Sequence, residues 1–222
     1  GLETHDSLCR QLALRSGGAV VALAYRLAPD SDFRASGDHR DEQGNRYLRL
    51  QARPGPLTLS YGATIELQHH VAEPRDIAEV PVARLPLEVL SYIYPSRHCQ
   101  SDRLHRFAMR EFGAMWQGYG RVQAIRDWVI NRVKFRSNSS DVNTSAIDTL
   151  VEGTGVCRDF AHLMIGLLRS FGIPARYVSG YIHRPGQESQ SHAWCETWIP
   201  DLGWTGSDPT NNMPMSDRHV KV

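Results

Sequence analysis

Long apolar segments are absent from this chain. Its 222 residues contain no run of the ~18 apolar residues that a membrane-spanning helix needs. They also contain no basic start followed by an apolar core and a small-residue cleavage site, which is the pattern of a secretory signal. The sequence therefore predicts a cytoplasmic protein without a membrane partner.

An excess of charge of one sign is lacking as well. The 25 basic and 24 acidic residues nearly balance, for a formal net charge of +1, and they are interspersed along the chain. Nucleic-acid-binding proteins instead carry clustered basic residues, often interleaved with aromatic ones. We therefore predict no nucleic-acid partner.

Cysteine is scarce, and its spacing fits neither a disulfide framework nor a zinc site. The chain has four cysteines and no Cys-x-x-Cys pair. His192 and Cys195 are three residues apart in a predicted strand, so their side chains point to opposite faces and do not converge on one ion. The sequence predicts no metal and no cofactor.

Residues 153–181 carry the first functional signal. After a glycine-rich loop, an apolar segment begins at Cys157 and runs to a stop signal at Gly172 and Pro174. This pattern predicts a loop, a buried helix, a turn and a strand, with Cys157 in the first turn of the helix.

A cysteine at that place has two interpretations. Unpaired amide groups and the positive end of the helix dipole stabilise a thiolate over a thiol, which favours a nucleophile. The competing interpretation is a small buried hydrophobic residue, as expected for a lone cysteine on an apolar helix.

Two later segments favour the nucleophile. Residues 191–200 and 203–210 predict two strands, the first carrying His192 and the second ending in a turn at Asp208. A thiol nucleophile works with an imidazole that moves the proton and a carboxylate that fixes the imidazole tautomer. Cys157, His192 and Asp208 supply these three groups.

Four motifs, in this order, resemble those of the bacterial transglutaminase-like superfamily. They are Gly155–Ala161, Phe171–Tyr181, His192–Trp198, and Gly203–Trp204 with Asp208–Thr210. The resemblance covers about residues 100–212, and the earlier residues resemble the N-terminal β region of bacterial members only weakly.

The resemblance implies a fold and a role for each site residue. The fold is α+β, with a papain-like core and a small N-terminal antiparallel β domain. A helix carries Cys157 as nucleophile, and an antiparallel sheet carries His192 as base and Asp208 as orienting acid. The backbone N–H of Cys157 is the expected donor to an oxyanion.

We divide the chain into three regions. Residues 1–72 are the predicted β domain, residues 73–100 a proline-containing linker, and residues 101–222 the catalytic domain. Members of the resembled family usually continue through a further strand, so we expect the C-terminal edge to be cut.

Local patterns predict the individual elements. In the β domain they are strands at residues 11–15, 19–27, 46–51 and 57–68 and a polar loop at 38–45. Farther along they are a short helix near 87–90, a helix at 101–112 capped by Ser101, a helix at 120–134 and a short helix starting at Ser145.

Other residues compete for the catalytic roles. His183 lies at the end of a predicted strand, and Asp201 lies in a predicted hairpin turn. His162 is on the same helix as Cys157 but about 140° around it, so it does not share the face of the cysteine. Motif context favours His192 and Asp208 over these alternatives.

Further motif residues have structural interpretations. We expect Asp159 to complement the start of the helix, and Glu196 to form a buried pair with an arginine such as Arg176. Three tryptophans are expected in the core or the cleft walls: Trp194, Trp198 and Trp204.

These residues together predict thiol-dependent acyl transfer. A Cys157 thioester would form from a peptide or carboxamide, in a peptide or protein substrate. Transfer to water, as in a protease or amidase, is favoured over transfer to an amine, as in a transglutaminase. The alternative is a binding or scaffold module that keeps the fold without turnover.

Overall fold

The computed structural model describes the chain at residues 20–21, 33–40, 46–52, 77–183, 190–200, 202–216 and 218–221. The chain separates into two units, residues 1–67 together with residue 222, and residues 68–221. Each unit is described by itself.

The N-terminal unit contains a three-stranded antiparallel sheet in the order β1-β3-β2, formed by β1 (Val20–Val21), β2 (Phe33–Arg40) and β3 (Arg46–Ala52). The strand predicted at residues 46–51 is confirmed as β3. The predicted strands at 11–15 and 57–68 lie outside the described residues, as does most of 19–27.

The polar loop predicted at residues 38–45 is wrong at its start. Asp38, His39 and Arg40 belong to β2 and pair with β3, after a register shift that follows Ala35. Pairing with a neighbouring strand overrides the low strand propensity of residues such as Asp38, and a bulge absorbs the irregularity.

The C-terminal unit is α+β, as predicted. Its helices are α1 (Ser101–Phe112), α2 (Tyr119–Arg132), α3 (Ala146–Glu152) and α4 (Cys157–Arg169). Its sheets are a short parallel pair of β4 (Lys134–Phe135) and β5 (Thr154–Gly155) and an antiparallel sheet of β6 (Ala175–Ile182), β7 (Gln190–Ile199), β8 (Gly203–Asp208), β9 (Met213–Pro214) and β10 (His219–Lys221). The strand order of the larger sheet is β10-β6-β7-β8-β9.

Helix α4 is the centre of this unit. It packs against α1, α2 and α3 and against β6 and β7, and its side chains from Asp159 to Leu168 are all buried. Fully burying a large apolar side chain such as Leu163 or Met164 contributes about 1.5–3 kcal/mol. The helix that carries Cys157 is therefore held from nearly every side.

A small residue lets α1 approach this helix closely. A Cβ atom at Gly166 would lie 2.7 Å from Leu104 Cδ1, nearer than two carbon atoms can approach. Glycine therefore costs helix propensity at this position but permits close packing of α1 on α4.

The start of α3 agrees with the sequence prediction, and the start of α1 differs from it. The prediction that Ser145 begins a helix is confirmed, because Ser145 caps α3 and exchanges hydrogen bonds with Asp148. The prediction that Ser101 caps α1 is wrong, since Gln100 is the N-cap and Ser101 is already helical. The Ser101 N–H donates to the Cys99 carbonyl at 2.9 Å, which turns the chain into the helix one residue earlier.

The segment before α1 contains two 3₁₀ helices, Val82–Arg84 and Leu87–Ile93. The second confirms the short helix predicted near residues 87–90 and extends beyond it. Val89 and Cys99 of this segment are buried. Among the described residues, no helix is both long and apolar enough to cross a membrane.

Candidate active site

Cys157 is the first residue of α4 and is half-buried. The Asp159 carboxylate folds back over the helix start, where its Oδ2 accepts the Val156 N–H at 2.8 Å. A Cβ at Gly155 would lie 2.8 Å from Asp159 Cβ, so glycine makes room for this turn. The expected structural role of Asp159 at the helix start is confirmed.

Arg158 connects the loop at residues 140–141 to the same helix start through hydrogen bonds. Its guanidinium donates to the Asp141 carbonyl at 2.6 Å and to Ser140 Oγ at 3.0 Å, while its Nε contacts Asp159 Oδ1 at 3.2 Å. The start of the helix is thus held by the Asp159 carboxylate and joined to the loop at residues 140–141 by the Arg158 guanidinium.

His192 lies on β7, which is paired with β6 on one side and β8 on the other. Its Nε2–H donates to Asp208 Oδ2 at 2.8 Å, and the Cys157 side chain is close enough to the ring to raise its pKa. Because Nε2 faces Asp208, Nδ1 is the ring nitrogen left for the sulfur. The structure brings together the three residues that the sequence singled out.

The pKa of His192 reflects this position between two partners. Burial lowers the pKa, but the hydrogen bonds to Asp208 and Cys157 and the negative charges of both groups outweigh burial and raise it to about 9 from an ordinary 6.5. The ring is therefore an imidazolium at neutral pH, ready to give a proton.

Asp208 is fully buried at the end of β8 and saturated with donors. Its Oδ2 accepts from His192, from Asn211 Nδ2 at 2.9 Å and from His219 Nε2 at 3.1 Å. Its Oδ1 accepts the backbone N–H groups of Thr210 at 2.9 Å and Asn211 at 3.3 Å. Burial raises the pKa of this carboxyl, and the hydrogen bonds more than offset burial, so the pKa falls well below its usual range.

Two further residues of the site, Asn211 and His219, are not among those that the sequence patterns identify. The sequence places Asn211 just after the Asp208 turn, which is the position from which an N–H reaches back to an aspartate carboxylate. That turn signal could have identified Asn211. His219 reaches Asp208 because β10 pairs with β6, and no periodicity or motif in the final residues indicates that pairing.

The competing histidines lie elsewhere. His162 is buried between His98 and Tyr177, with ring centroids 5.2 Å away on each side. Burial and the nearby cations lower the pKa of His162 to about 3, so it is neutral at neutral pH and packs in the core. His183 is exposed at the end of β6, and Asp201 lies outside the described residues.

Glu196 is buried and paired, which confirms its structural interpretation. Arg176 Nη2 lies 2.7 Å from Glu196 Oε2, and Lys221 Nζ lies 2.9 Å from the same oxygen. The Arg176 guanidinium also stacks over the Trp204 ring at 4.1 Å. This cluster links β6, β7, β8 and β10. Trp194 belongs to the core, while Trp198 and Trp204 are half-buried.

One trio of metal-ligand types occurs within the part of the chain that the structure describes. Potential ligand atoms of His192, Asp208 and His219 lie within 4.8 Å of one another. The Ser216 backbone N–H donates to His219 Nδ1 at 3.3 Å, so the proton of a neutral His219 is on Nε2, which faces Asp208. A metal ion there would need bare Nε2 atoms. The arrangement fits a hydrogen-bond network better than a metal site.

The other described thiols have a different environment. Cys99 and Cys195 are buried. Burial raises the pKa of Cys99 to about 11 and the pKa of Cys195 above its usual range. Both thiols therefore stay protonated at neutral pH and are poor nucleophiles.

Comparison with known proteins points to one family. The sequence model of the transglutaminase-like superfamily matches residues 110–209. A candidate cysteine protease from Cytophaga hutchinsonii has a similar structure, with a TM-score of 0.70 and 30% sequence identity over 91% of this chain and 74% of that chain.

Curated relatives match over shorter stretches. An uncharacterised protein of Mycobacterium leprae is 38% identical over 108 residues, which are 46% of this chain and 38% of that protein. A protein-glutamine gamma-glutamyltransferase of Pseudomonas aeruginosa is 39% identical over 66 residues, which are 26% of this chain and 10% of that protein. The matches thus span well under half the length of these relatives.

Proposed function

The chain belongs to the transglutaminase-like superfamily, a family of thiol-dependent enzymes, and we propose that it transfers or hydrolyses acyl groups through a Cys157 thioester. The observation that carries this proposal is that His192 is hydrogen-bonded to Asp208 and is close enough to Cys157 for the thiol to raise the pKa of the ring. An imidazolium beside a thiol at a helix N-terminus stabilises the thiolate that attacks a carbonyl carbon.

Acylation begins when the Cys157 thiolate attacks a peptide or carboxamide carbonyl. The new C–S bond pushes the carbonyl electron pair onto oxygen. The Cys157 N–H stabilises this oxyanion, because the first N–H groups of a helix have no partner within the helix. His192 then gives its Nδ1 proton to the leaving nitrogen, the C–N bond breaks, and ammonia or an amine departs.

Deacylation reverses the proton transfer. Neutral His192 takes a proton from water while the water oxygen attacks the thioester carbonyl. The second oxyanion collapses, the C–S bond breaks, and a carboxylic acid leaves beside a restored thiolate and imidazolium. Asp208 holds the Nε2–H of His192 throughout, which keeps Nδ1 directed at the reacting atoms. An amine in place of water gives transglutamination by the same steps.

We favour water as the acceptor and a peptide or protein as the substrate. The similar Cytophaga hutchinsonii structure is that of a candidate cysteine protease and aligns over most of this chain. The likeness to the Pseudomonas aeruginosa glutamyltransferase covers a much smaller part of it.

One experiment compares the two acceptors. A glutaminyl peptide is incubated with the protein with and without a primary amine, and free ammonia, free acid and amide product are measured by mass spectrometry. Without the amine we expect free ammonia and the free acid. When the amine is added, we expect little of the amide that would form by its incorporation. The Cys157→Ala variant should form none of these products, and turnover by that variant would contradict the proposal. A majority of amide product would instead assign the amine as acceptor.

A further inference from the structure

The short strand β10 brings a second histidine to the site. His219 pairs with Ile182 of β6 in the strand register, and its side chain is fully buried. Lys221, two residues later on the same strand, joins the ion cluster on Glu196 at 2.9 Å. The strand is therefore fixed by backbone pairing at the sheet edge and by a side-chain contact to β7.

Both ring nitrogens of His219 have defined partners. The Ser216 backbone N–H lies 3.3 Å from Nδ1, and a backbone N–H can only donate. The proton of neutral His219 is consequently on Nε2, which lies 3.1 Å from Asp208 Oδ2. The backbone thus selects the tautomer that donates to the carboxylate.

Two imidazoles share one carboxylate oxygen as a result. His192 and His219 both donate to Asp208 Oδ2, and their ring centroids are 6.2 Å apart. The Trp194 ring meets His219 edge to face at 5.6 Å. Of the neighbouring charged groups, Asp208 on β8 and His192 on β7 face the ring, while Lys221 on its own strand is engaged with Glu196.

We propose that His219 is a positioning residue that acts on His192 through Asp208. Its Nε2–H donates to Asp208 Oδ2 and fixes the plane of the carboxylate so that this oxygen faces His192. Without this donor the carboxylate is free to turn, and the His192 ring is no longer held toward Cys157. His219 therefore keeps the imidazolium beside the sulfur, where it stabilises the thiolate. This inference rests on the proposed function.

The test compares His219→Leu, which removes the donor, with His219→Gln, whose amide nitrogen can still donate to Asp208. His105→Leu is the matched control, because His105 is an exposed histidine hydrogen-bonded only to the Ser170 carbonyl in the described structure, at 3.0 Å. The rate of Cys157 alkylation by iodoacetamide is followed from pH 5 to 10 by peptide mass spectrometry. Circular dichroism checks the fold of each variant.

We expect His219→Leu to slow labelling by about tenfold at neutral pH, the scale of one hydrogen bond to a charged group, and to move the pH profile to higher pH. His219→Gln should recover most of the rate, and His105→Leu should match the wild type. A folded His219→Leu protein with the wild-type pH profile of labelling would overturn the proposal. That result is expected if the His219 side chain only fills space.

A measurement on the unmodified protein covers the case in which His219→Leu does not fold. Long-range ¹H–¹⁵N correlation spectra of the histidine rings report which nitrogen carries the proton. We expect His219 to carry it on Nε2 at neutral pH, and a proton on Nδ1 would overturn the proposal. If wild-type Cys157 labels no faster than Cys99, the proposed function fails. The tautomer of His219 is measured independently and still shows whether His219 donates to Asp208.

Discussion

His192 Nε2 and Asp208 Oδ2 are joined by a 2.8 Å hydrogen bond between adjacent strands β7 and β8. This bond occupies Nε2 and leaves Nδ1 for Cys157. It therefore determines which ring nitrogen exchanges a proton with the reacting groups. The carboxylate in turn is fixed by four further donors, two of them backbone N–H groups of the turn that ends β8. The site is built on paired strands and one buried helix.

Replacing the carboxylate tests its orienting role. In Asp208→Asn, an NH₂ group takes the place of one oxygen and faces N–H donors. We expect the turnover rate to fall by up to about 10⁴-fold, the scale for loss of an orienting aspartate, and Cys157 alkylation at neutral pH to slow as well. The free energy of unfolding should fall by about 3–5 kcal/mol, since a buried charged network loses one partner. Stopped-flow labelling and urea unfolding measure the two effects, and an unchanged rate in a folded variant would contradict the role.

The raised pKa of His192 predicts how stability depends on pH. A group whose pKa is about 9 in the folded protein and near 6.5 in the unfolded chain stabilises the fold fully below pH 6.5. That contribution is lost as the pH rises through 9 and is on the order of 3 kcal/mol. Urea unfolding at pH 6.5 and at pH 9.5 should show this loss in the wild type and a smaller one in His192→Gln. Equal losses in both proteins would show that His192 is not the group responsible.

Close packing at Gly180 on β6 leads to a prediction about the position of the neighbouring strand β10. A Cβ there would overlap the Val220 carbonyl of β10 and lie 2.7 Å from the Trp194 ring. We expect Gly180→Ala to displace β10, to destabilise the fold by about 1–3 kcal/mol and to slow Cys157 labelling. Gly120→Ala is the control, because a Cβ at that position in α2 would have no atom within 4 Å apart from its chain neighbours and the adjacent helix backbone. Thermal unfolding measures the stability of the two variants. A Gly180→Ala protein as stable as the control would contradict close packing of β10.

The helix of the site was predictable from the sequence for a simple reason. The residues after Cys157 are apolar on nearly every side, and such a helix belongs in a core whichever neighbours cover it. The pairing of Glu196 with Arg176 was also within reach, because buried charges require partners. Asp159 at the helix start follows from local geometry alone.

Other parts of the site depend on contacts between distant segments. His192 and Asp208 were assigned through the resemblance of their motifs, since strand patterns do not specify which side chains meet. His219 belongs to a strand of only three residues, too short for an alternating pattern to be recognised. The strand at Asp38–Arg40 was missed for a similar reason, because pairing with β3 rather than residue preference forms it.

The central claim is that Cys157 and His192 form a thiolate–imidazolium pair. The most direct measurement is the rate of Cys157 alkylation by iodoacetamide from pH 4 to 9, in the wild type and in His192→Ala, with the buried thiols of Cys99 and Cys195 as internal references. We predict fast labelling of Cys157 below pH 7 in the wild type, a shift of the profile to higher pH in His192→Ala, and little labelling of the two references. Slow labelling with the profile of an ordinary thiol in both proteins would contradict the claim.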